Sequence, residues 1–295
     1  MRVTQSMLSN NLLRNLNQSY AEMDKYFNQL NTGKKFNRPS DDPVAAMKGI
    51  GFRTELHQVE QYQRNTNEVH NWLDNSDSAL DQINSGLQRI RYLAVQASNG
   101  TYGESELKSI AAEVEQIKAD LIETANMKVN DKYIFNGTNT NIPPVNVDAE
   151  PIVVEFDDSQ VIIKVATNSE LAANVDGNKV FMNGEESLFD TIDHFIAKLN
   201  GEIDEDMDES IADMDIFIDN VINSRADLGA KMNRLELIEN RLAKQEIVAT
   251  STLSKNEDIN YAETITNLIT QESIHRAALS SGARIMQPTL LDFLR

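Results

Sequence analysis

Residues 42–100 read DPVAAMKGIGFRTELHQVEQYQRNTNEVHNWLDNSDSALDQINSGLQRIRYLAVQASNG. Alternate steps of three and four residues from Phe52 land on Glu55, Val59, Tyr62, Thr66, Val69, Leu73, Ser76, Leu80, Ile83, Leu87, Ile90, Ala94 and Ala97. All but Glu55, Thr66 and Ser76 are apolar or tyrosine. A seam kept in register over so many heptads belongs to a coiled-coil helix rather than to a short amphipathic one. At about 1.5 Å per residue it predicts a rod-like helix on the order of 80 Å long. Asp42 is suited to accept bonds from the first-turn amides, and Pro43 sits at the first helical position, where its missing N–H costs nothing. Gly100 and Gly103 supply the stop.

Proline placement extends the reading. The six prolines fall at 39, 43, 143, 144, 151 and 288, leaving two long tracts open to helix. A second helix is expected to run back antiparallel from about Glu104, with Leu107, Ile110, Val114, Ile117 and Leu121 on its seam. Leu188, Ile192, Phe195 and Leu199 form one further stripe. After Gly201 a third long seam reads Ile211, Met214, Ile218, Val221, Arg225, Leu228, Met232 and Leu235, with Arg225 read as a side chain that snorkels out of it.

Both termini carry helical stripes. Leu13, Leu16, Tyr20, Met23, Phe27 and Leu30 make one; Ile259, Ala262, Ile265 and Ile269 begin another, and the sequence closes with Leu290, Leu291, Phe293 and Leu294. Segments at opposite ends pair if the chain goes out and comes back. Between the halves the period changes to that of strands. Residues 152–156 and 161–165 are expected to form a hairpin around Asp157–Gln160, and 179–182 a further strand ending at Asn183-Gly184. Asn130-Asp131-Lys132-Tyr133-Ile134-Phe135-Asn136-Gly137 is expected to be a turn, a short aromatic strand and another turn.

The predicted fold is therefore mainly α: a long antiparallel coiled-coil rod built from both chain ends, with a small β-rich module inserted at the middle. The expected division is a terminal helix over 1–40 that pairs with 256–295, rod helices and the aromatic turn over 41–137, the β-rich module over 138–186, and returning rod helices over 187–255.

The charge narrows the function. Acidic residues number 46 and basic ones 27, a net charge of -19, which argues against duplex nucleic acid or an anionic membrane as a partner. The charge is uneven: residues 148–219 hold 20 acidic and 3 basic residues, while residues 1–40 hold 2 acidic and 6 basic. There is no cysteine, which removes disulfides, thiol nucleophiles and cysteine zinc sites. No run approaches the roughly 20 apolar residues of a membrane span, and the first residues lack a signal-peptide layout.

Chemical constellations are sparse. His57, His70, His194 and His275 lie at no metal-ligand spacing, and no nucleophile–base arrangement follows from them. Gly49-Ile50-Gly51 lacks the third glycine and preceding strand of a dinucleotide fingerprint, and reads as a loose or kinked place in the helix. Asp204, Glu205, Asp206, Asp208 and Glu209 resemble the opening of a calcium loop, but the sixth position is Glu209 instead of glycine and the twelfth is Asp215 instead of glutamate. Acids ahead of a helix also complement its dipole. No catalytic residue, cofactor or metal is predicted.

Two stretches carry a family resemblance. Leu30-Asn31-Thr32-Gly33-Lys34-Lys35-Phe36-Asn37-Arg38-Pro39-Ser40-Asp41-Asp42-Pro43-Val44-Ala45-Ala46 resembles the turn in bacterial flagellins at which a terminal helix passes into the long rod helix. Arg225-Ala226-Asp227-Leu228-Gly229-Ala230-Lys231-Met232-Asn233-Arg234-Leu235-Glu236 is similar to their returning rod helix. Within that family, Tyr133 to Gly137, the opening Met1-Arg2-Val3-Thr4 and the closing Leu290 to Leu294 look most like the hook–filament junction members. Leu294-Arg295 looks like a flagellin ending.

The resemblance implies a structural protein with no catalytic step, which joins the hook to the flagellin filament by helical packing of its termini. It implies export through the flagellar type III channel without a cleavable signal and an extracellular place at the hook–filament junction. The implied partners are further copies in a ring, a hook-side hook-associated protein, flagellin, and an export chaperone on the C-terminal helix. Terminal helices of this family order on assembly. The implied assembly interface is Leu13, Leu16, Tyr20, Met23, Phe27, Leu30, Ile259, Ala262, Ile265, Ile269, Leu290, Leu291, Phe293 and Leu294, with Asp41, Asp42 and Pro43 as the helix-start turn. Two other readings stand beside it: a flagellin filament subunit, and an acidic calcium-binding module.

Overall fold

The computed structural model describes residues 5–99, 102–147, 153–184, 186–203 and 207–285, and within them the chain is mainly α. From the N-terminal side come α1 (Gln5–Thr32), α2 (Pro43–Ser98) and α3 (Glu104–Ala125). The middle holds strands β1 (Lys128–Val129), β2 (Lys132–Tyr133), β3 (Val145–Asn146), β4 (Val153–Val154), β5 (Ile162–Ala166) and β6 (Ser169–Ala172). The short helix α4 (Gly177–Phe181) follows, and then β7 (Met182–Asn183) and β8 (Glu186–Ser187). Helices α5 (Leu188–Asn200), α6 (Met207–Glu257) and α7 (Tyr261–Ile285) complete the order. Two compact units form, one from Val59–Lys244 and the other from the described residues up to Gln58 and from Gln245 onward.

In the first unit the α2 seam is the core. Val59, Val69, Leu73, Leu80, Ile83, Leu87, Ile90, Ala94 and Ala97 are all buried. Its two hydroxyl positions are buried as well. Thr66 Oγ1 donates to the Gln63 carbonyl (2.9 Å) and Ser76 Oγ to that of Trp72 (2.8 Å), so each polar atom is satisfied within its own helix. Helix α3 lies antiparallel on α2, with Gly86 against Leu121 and Ile117 and Arg89 paired to Glu113 at 2.6 Å. Helix α6 also runs antiparallel to α2: Ser98 bonds Asp208 (2.7 Å), Arg91 pairs with Asp215, and Arg225 reaches Asp77 (3.1 Å) and Asp81 (2.7 Å). Arg225 thus leaves the apolar seam of Met214, Val221, Leu228 and Leu235 to bridge two carboxylates on the facing helix.

The middle departs from the strand expectations in two places. Strand β4 pairs antiparallel with β3, Val145 opposite Val154, and β5 pairs with β6, so 153–154 and 162–165 are not partners. The segment between them does not make a tight turn, because Asp157 accepts from Thr138 N (3.0 Å), Thr138 Oγ1 (2.6 Å) and Ser159 N (3.0 Å), which folds it back onto Gly137. Residues 179–181 are helical, since Asp176 caps α4 by accepting from Asn178 N at 3.0 Å. Capping there outweighs the β preference of Val180 and Phe181, and the strand begins only at Met182.

Four rings fill the module's core. Phe181 stacks on Phe156 with centroids 5.0 Å apart, meets Phe135 edge-on at 5.4 Å and lies 5.9 Å from Phe189. Asparagine side chains stand in for missing ladder partners. Asn126 accepts from Val145 N (3.1 Å) and donates to its carbonyl (2.8 Å), and Asn174 accepts from Val161 N (2.9 Å). This satisfies strands that are too short to satisfy each other. Helix α5 buries Leu188, Ile192, Phe195 and Leu199 and ends at Gly201 in the left-handed region (φ 76°).

Candidate assembly surface

In the second unit the end of α1, the turn before α2, the first turns of α2 and the α6–α7 break meet. Gly33, at φ 72°, ends α1. The chain then crosses the break: Lys35 N donates to the Glu257 carbonyl (2.6 Å), and Ile259 N donates to that of Gly33 (3.1 Å). Further on, Asp41 accepts from the amides of Asn37 (3.1 Å) and Arg38 (3.0 Å), and Asp42 accepts from those of Val44 (3.1 Å) and Ala45 (2.9 Å), with the exposed Pro43 opening α2 between them. The two amide bonds hold the Asp41 carboxyl below its ordinary range.

Glu257 is the buried charge of this crossing, its side chain only 3% exposed. It accepts from Arg53 Nη2 at 2.8 Å and lies 3.3 Å from Lys34 Nζ, which also reaches Asp258 at 2.7 Å. Burial alone pushes the Glu257 carboxyl up, but the bonds from Arg53 and Lys34 outweigh it and leave the carboxyl below its ordinary value. Asn256 Nδ2 adds a bond to the Ala45 carbonyl (3.0 Å), and Lys35 Nζ one to that of Lys255 (2.6 Å). The expectation of a loose or kinked place at Gly49-Ile50-Gly51 is corrected here. Helix α2 runs through it, and Gly49 is buried against the Glu257 carboxylate, where a side chain would not fit.

From the crossing outward α1 and α7 lie antiparallel. Gln271 Nε2 donates to Ser19 Oγ (3.3 Å), Tyr20 and His275 meet edge-on with centroids 5.3 Å apart, and Leu12 lies against Gly282. The covered positions follow a heptad: 12, 16, 19, 23, 26 and 30 on α1 and 264, 268, 271, 275, 278 and 282 on α7. Much of that seam is small or polar. Ser19, Thr264 and His275 are buried in it, and His275 Nδ1 has no hydrogen-bond partner among the described residues.

The sequence stripe therefore divides. Leu16, Met23 and Leu30 are half-buried toward α7, and Ile259 is half-buried at the crossing. Leu13 (52%), Tyr20 (60%) and Phe27 (65%) are more than half exposed. Ala262, Ile265 and Ile269 on α7 are exposed too, and Met7, Leu8, Ile274 and Leu279 join them. Leu290, Leu291, Phe293 and Leu294 lie outside the described residues. Gly33, Lys34, Gly49, Arg53 and Glu257 escape a reading by apolar period, because their roles are charge pairing and close approach. The one hint in the sequence is Gly33 followed by two lysines.

Among the described residues no group of histidines and carboxylates is placed to hold a metal ion, and no helix is long and apolar enough to cross a membrane. Asp208 and Asp215 of the acidic run are taken by Ser98 and Arg91; Asp204, Glu205 and Asp206 lie outside the described residues. What this surface offers is helix packing: covering a large apolar side chain gains about 1.5–3 kcal/mol.

Comparison with known proteins matches both ends of the chain to one family. Residues 3–140 match the bacterial flagellin N-terminal helical region and residues 211–294 the bacterial flagellin C-terminal helical region. The chain is 27% identical to flagellar hook-associated protein 3 of Escherichia coli (strain K12), across 94% of this chain and 95% of that protein. It is 30% identical to phase 1 flagellin of Salmonella naestved, but over only 59% of this chain and 30% of that flagellin. Its fold is similar to the solved structure of a flagellar hook-associated protein from Vibrio parahaemolyticus, with a TM-score of 0.69 at 20% identity, covering 74% of this chain and 100% of that one.

Proposed function

The chain belongs to the bacterial flagellin family, and from that premise we propose that it is the structural adapter of the flagellum that joins the hook to the flagellin filament. End-to-end similarity to a hook-associated protein, against partial similarity to flagellin, supports the adapter over the filament subunit. The observation that carries the reading is the divided stripe. The α1–α7 pair covers Leu12, Leu16, Met23 and Leu30 together with small and polar residues in its own seam and turns Leu13, Tyr20, Phe27, Ile265 and Ile269 outward. A large apolar stripe left bare within one chain is a surface for other chains.

On this reading copies of the protein stand side by side in a ring, packed through the terminal helices. A hook-side hook-associated protein lies on one side and flagellin on the other. The protein reaches this extracellular place by type III export without a cleavable signal, with a chaperone holding the C-terminal helix until assembly. Leu290, Leu291, Phe293 and Leu294 are included in the proposed assembly surface on their apolar character in the sequence alone. The acidic middle, with 20 acidic residues against 3 basic ones over 148–219, keeps that stretch solvated and out of the packing.

Deleting the protein from its own cell tests the reading. Hooks should remain intact and flagellin should be shed into the medium; restoring the chain should restore filaments. Growth of long filaments from the purified protein on seeds would assign it to the filament instead.

A further inference from the structure

We propose that Asn183 is a site of self-modification, at which the main chain of Gly184 closes on the Asn183 carboxamide and water then leaves aspartate or isoaspartate in its place. The inference goes beyond the assembly role and does not depend on it. The sequence holds four Asn-Gly pairs, at Asn99, Asn136, Asn183 and Asn200. Glycine after asparagine favours this reaction, because no Cβ crowds the attacking nitrogen. The fold must also leave the carboxamide free to turn back on its own main chain, leave the next nitrogen uncommitted, and admit water.

Three of the four pairs are held. Asn136 is buried, its Oδ1 accepting from Asp157 N (2.9 Å) and its Nδ2 donating to the Ile142 carbonyl (2.9 Å), so turning the carboxamide breaks two bonds inside the module. Asn200 ends α5, and Gly201 N donates to the Lys198 carbonyl at 3.1 Å, which commits the attacking nitrogen to the helix end. Asn99 Nδ2 donates to the Val95 carbonyl (3.0 Å) on α2. Asn183 is the exception: its side chain is exposed and makes no hydrogen bond among the described residues. Gly184 follows at φ 69°, with nothing within 4 Å of where a Cβ would stand. Both residues line an open pocket of about 280 Å³ with Asn220, Asn223, Ser224 and Asp227 of α6, which leaves room for the ring and for water. Strand β7 is two residues long and pairs only Met182 with Ser187 and Asn183 with Glu186, so little has to open.

The step balances without oxidant or reductant. Gly184 N attacks Asn183 Cγ and loses its proton to water; the new N–Cγ bond closes a succinimide, and the carboxamide nitrogen leaves as ammonia. Water then adds to one of the two ring carbonyls and breaks its bond to nitrogen. Opening at the side-chain carbonyl gives aspartate, and opening at the main-chain carbonyl gives isoaspartate. Either product adds a negative charge. Isoaspartate also lengthens the main chain beside Met182, whose strand partner Ser187 caps α5 by accepting from Asp190 N (3.1 Å).

Ageing the full chain in warm, mildly alkaline buffer, followed by tryptic mass spectrometry, tests this. Cleavage after lysine and arginine puts Asn136, Asn183 and Asn200 on separate peptides, and in the Val180–Lys198 peptide Asn183 is the only amide side chain. In the folded chain, conversion at Asn183 should run about tenfold or more ahead of Asn136 and Asn200. In guanidinium chloride the three sites should converge, because each is then the same dipeptide in an open chain. Equal conversion in the folded chain, faster conversion at Asn136 or Asn200, or a rate at Asn183 that rises as much on unfolding as theirs would overturn the proposal. A lead for Asn183 that persists unchanged in the unfolded chain would overturn it too, since the fold would then not be what selects the site.

Discussion

A Cβ on Gly49 would stand 2.7 Å from Oε1 of Glu257 and 3.3 Å from Nδ2 of Asn256, so the α2 backbone and the carboxylate occupy adjoining space that leaves no room for a methyl group. The end of a glutamate side chain can usually move aside, but this one is held by Arg53 at 2.8 Å and by Lys34 at 3.3 Å. Two residues on, Gly51 has open space around its missing Cβ. Both substitutions to alanine bring the same helix preference, about 0.5–1 kcal/mol. Urea unfolding should show Gly51→Ala stabilised by about that amount and Gly49→Ala destabilised by about 1 kcal/mol or more. Equal gains at the two sites would mean that the carboxylate is free to move.

The same cluster sets a pH dependence. Glu257 and Asp258 sit below their ordinary values of 4.5 and 3.8, and Lys34 sits above its 10.5. Carboxylates lowered on folding give a stabilisation that is complete above their ordinary range and is lost as pH falls through the lowered values. A raised lysine gives one that is complete below 10.5 and is lost as pH rises through the raised value. The α1–α7 pair should therefore hold across neutral pH and lose order below about pH 4. Hydrogen exchange of peptides from α7 at pH 3 and pH 7, corrected for intrinsic rates, reads this directly. Glu257→Gln should weaken the pair at pH 7 and flatten its acid response, whereas an unchanged acid response would place the titrating group elsewhere.

Gly137 carries the sharpest backbone demand in the middle of the chain. Its φ is 48°, and a Cβ there would lie 2.5 Å from the Asp157 carbonyl oxygen and 2.7 Å from that of Ser159. Both obstacles are main chain, held by the bonds of Asp157 to Thr138 and Ser159, so neither can swing away. Gly137→Ala should cost about 2–4 kcal/mol, seen as a lowered melting temperature, with the left-handed conformation and the clash both contributing. A loss no larger than that of an exposed-loop substitution would show that the Asp157 loop is free to shift.

How far the sequence could be read depended on how each element is held. The α2 seam was legible because burial there is apolar, follows a heptad, and opens with Asp42 and Pro43; even its exceptions, Thr66 and Ser76, keep to the register by bonding their own helix. The middle was less legible. Strands of two residues have no period to detect, and β3 depends on the Asn126 side chain, a long-range partner that no local pattern announces. The terminal helices show a third case. A search for apolar period finds Leu13, Tyr20 and Phe27, because the covered seam one residue away at Leu12, Ser19 and Tyr26 is only partly apolar. The pattern mixed the outward face at Leu13, Tyr20 and Phe27 with the inward one at Leu16, Met23 and Leu30, and the two separate only in three dimensions.

That division gives the last prediction. Leu13 and Phe27 touch little within the chain and Tyr20 adds one edge-on ring contact to His275, so changing all three to serine should cost the free protein only about 0.5 kcal/mol at Leu13 and at Phe27 and about 1 kcal/mol at Tyr20. If neighbouring subunits cover them, each lost side chain removes about 1.5–3 kcal/mol from assembly. The triple variant should then be exported and folded yet fail to hold a filament on the hook, with flagellin released into the medium. Leu12→Ser is the contrast. Leu12 lies against Gly282 inside the pair, so its loss should loosen α1 and α7 in the free chain before assembly is reached. Filaments that grow normally on the triple variant would remove the outward stripe from the assembly contact.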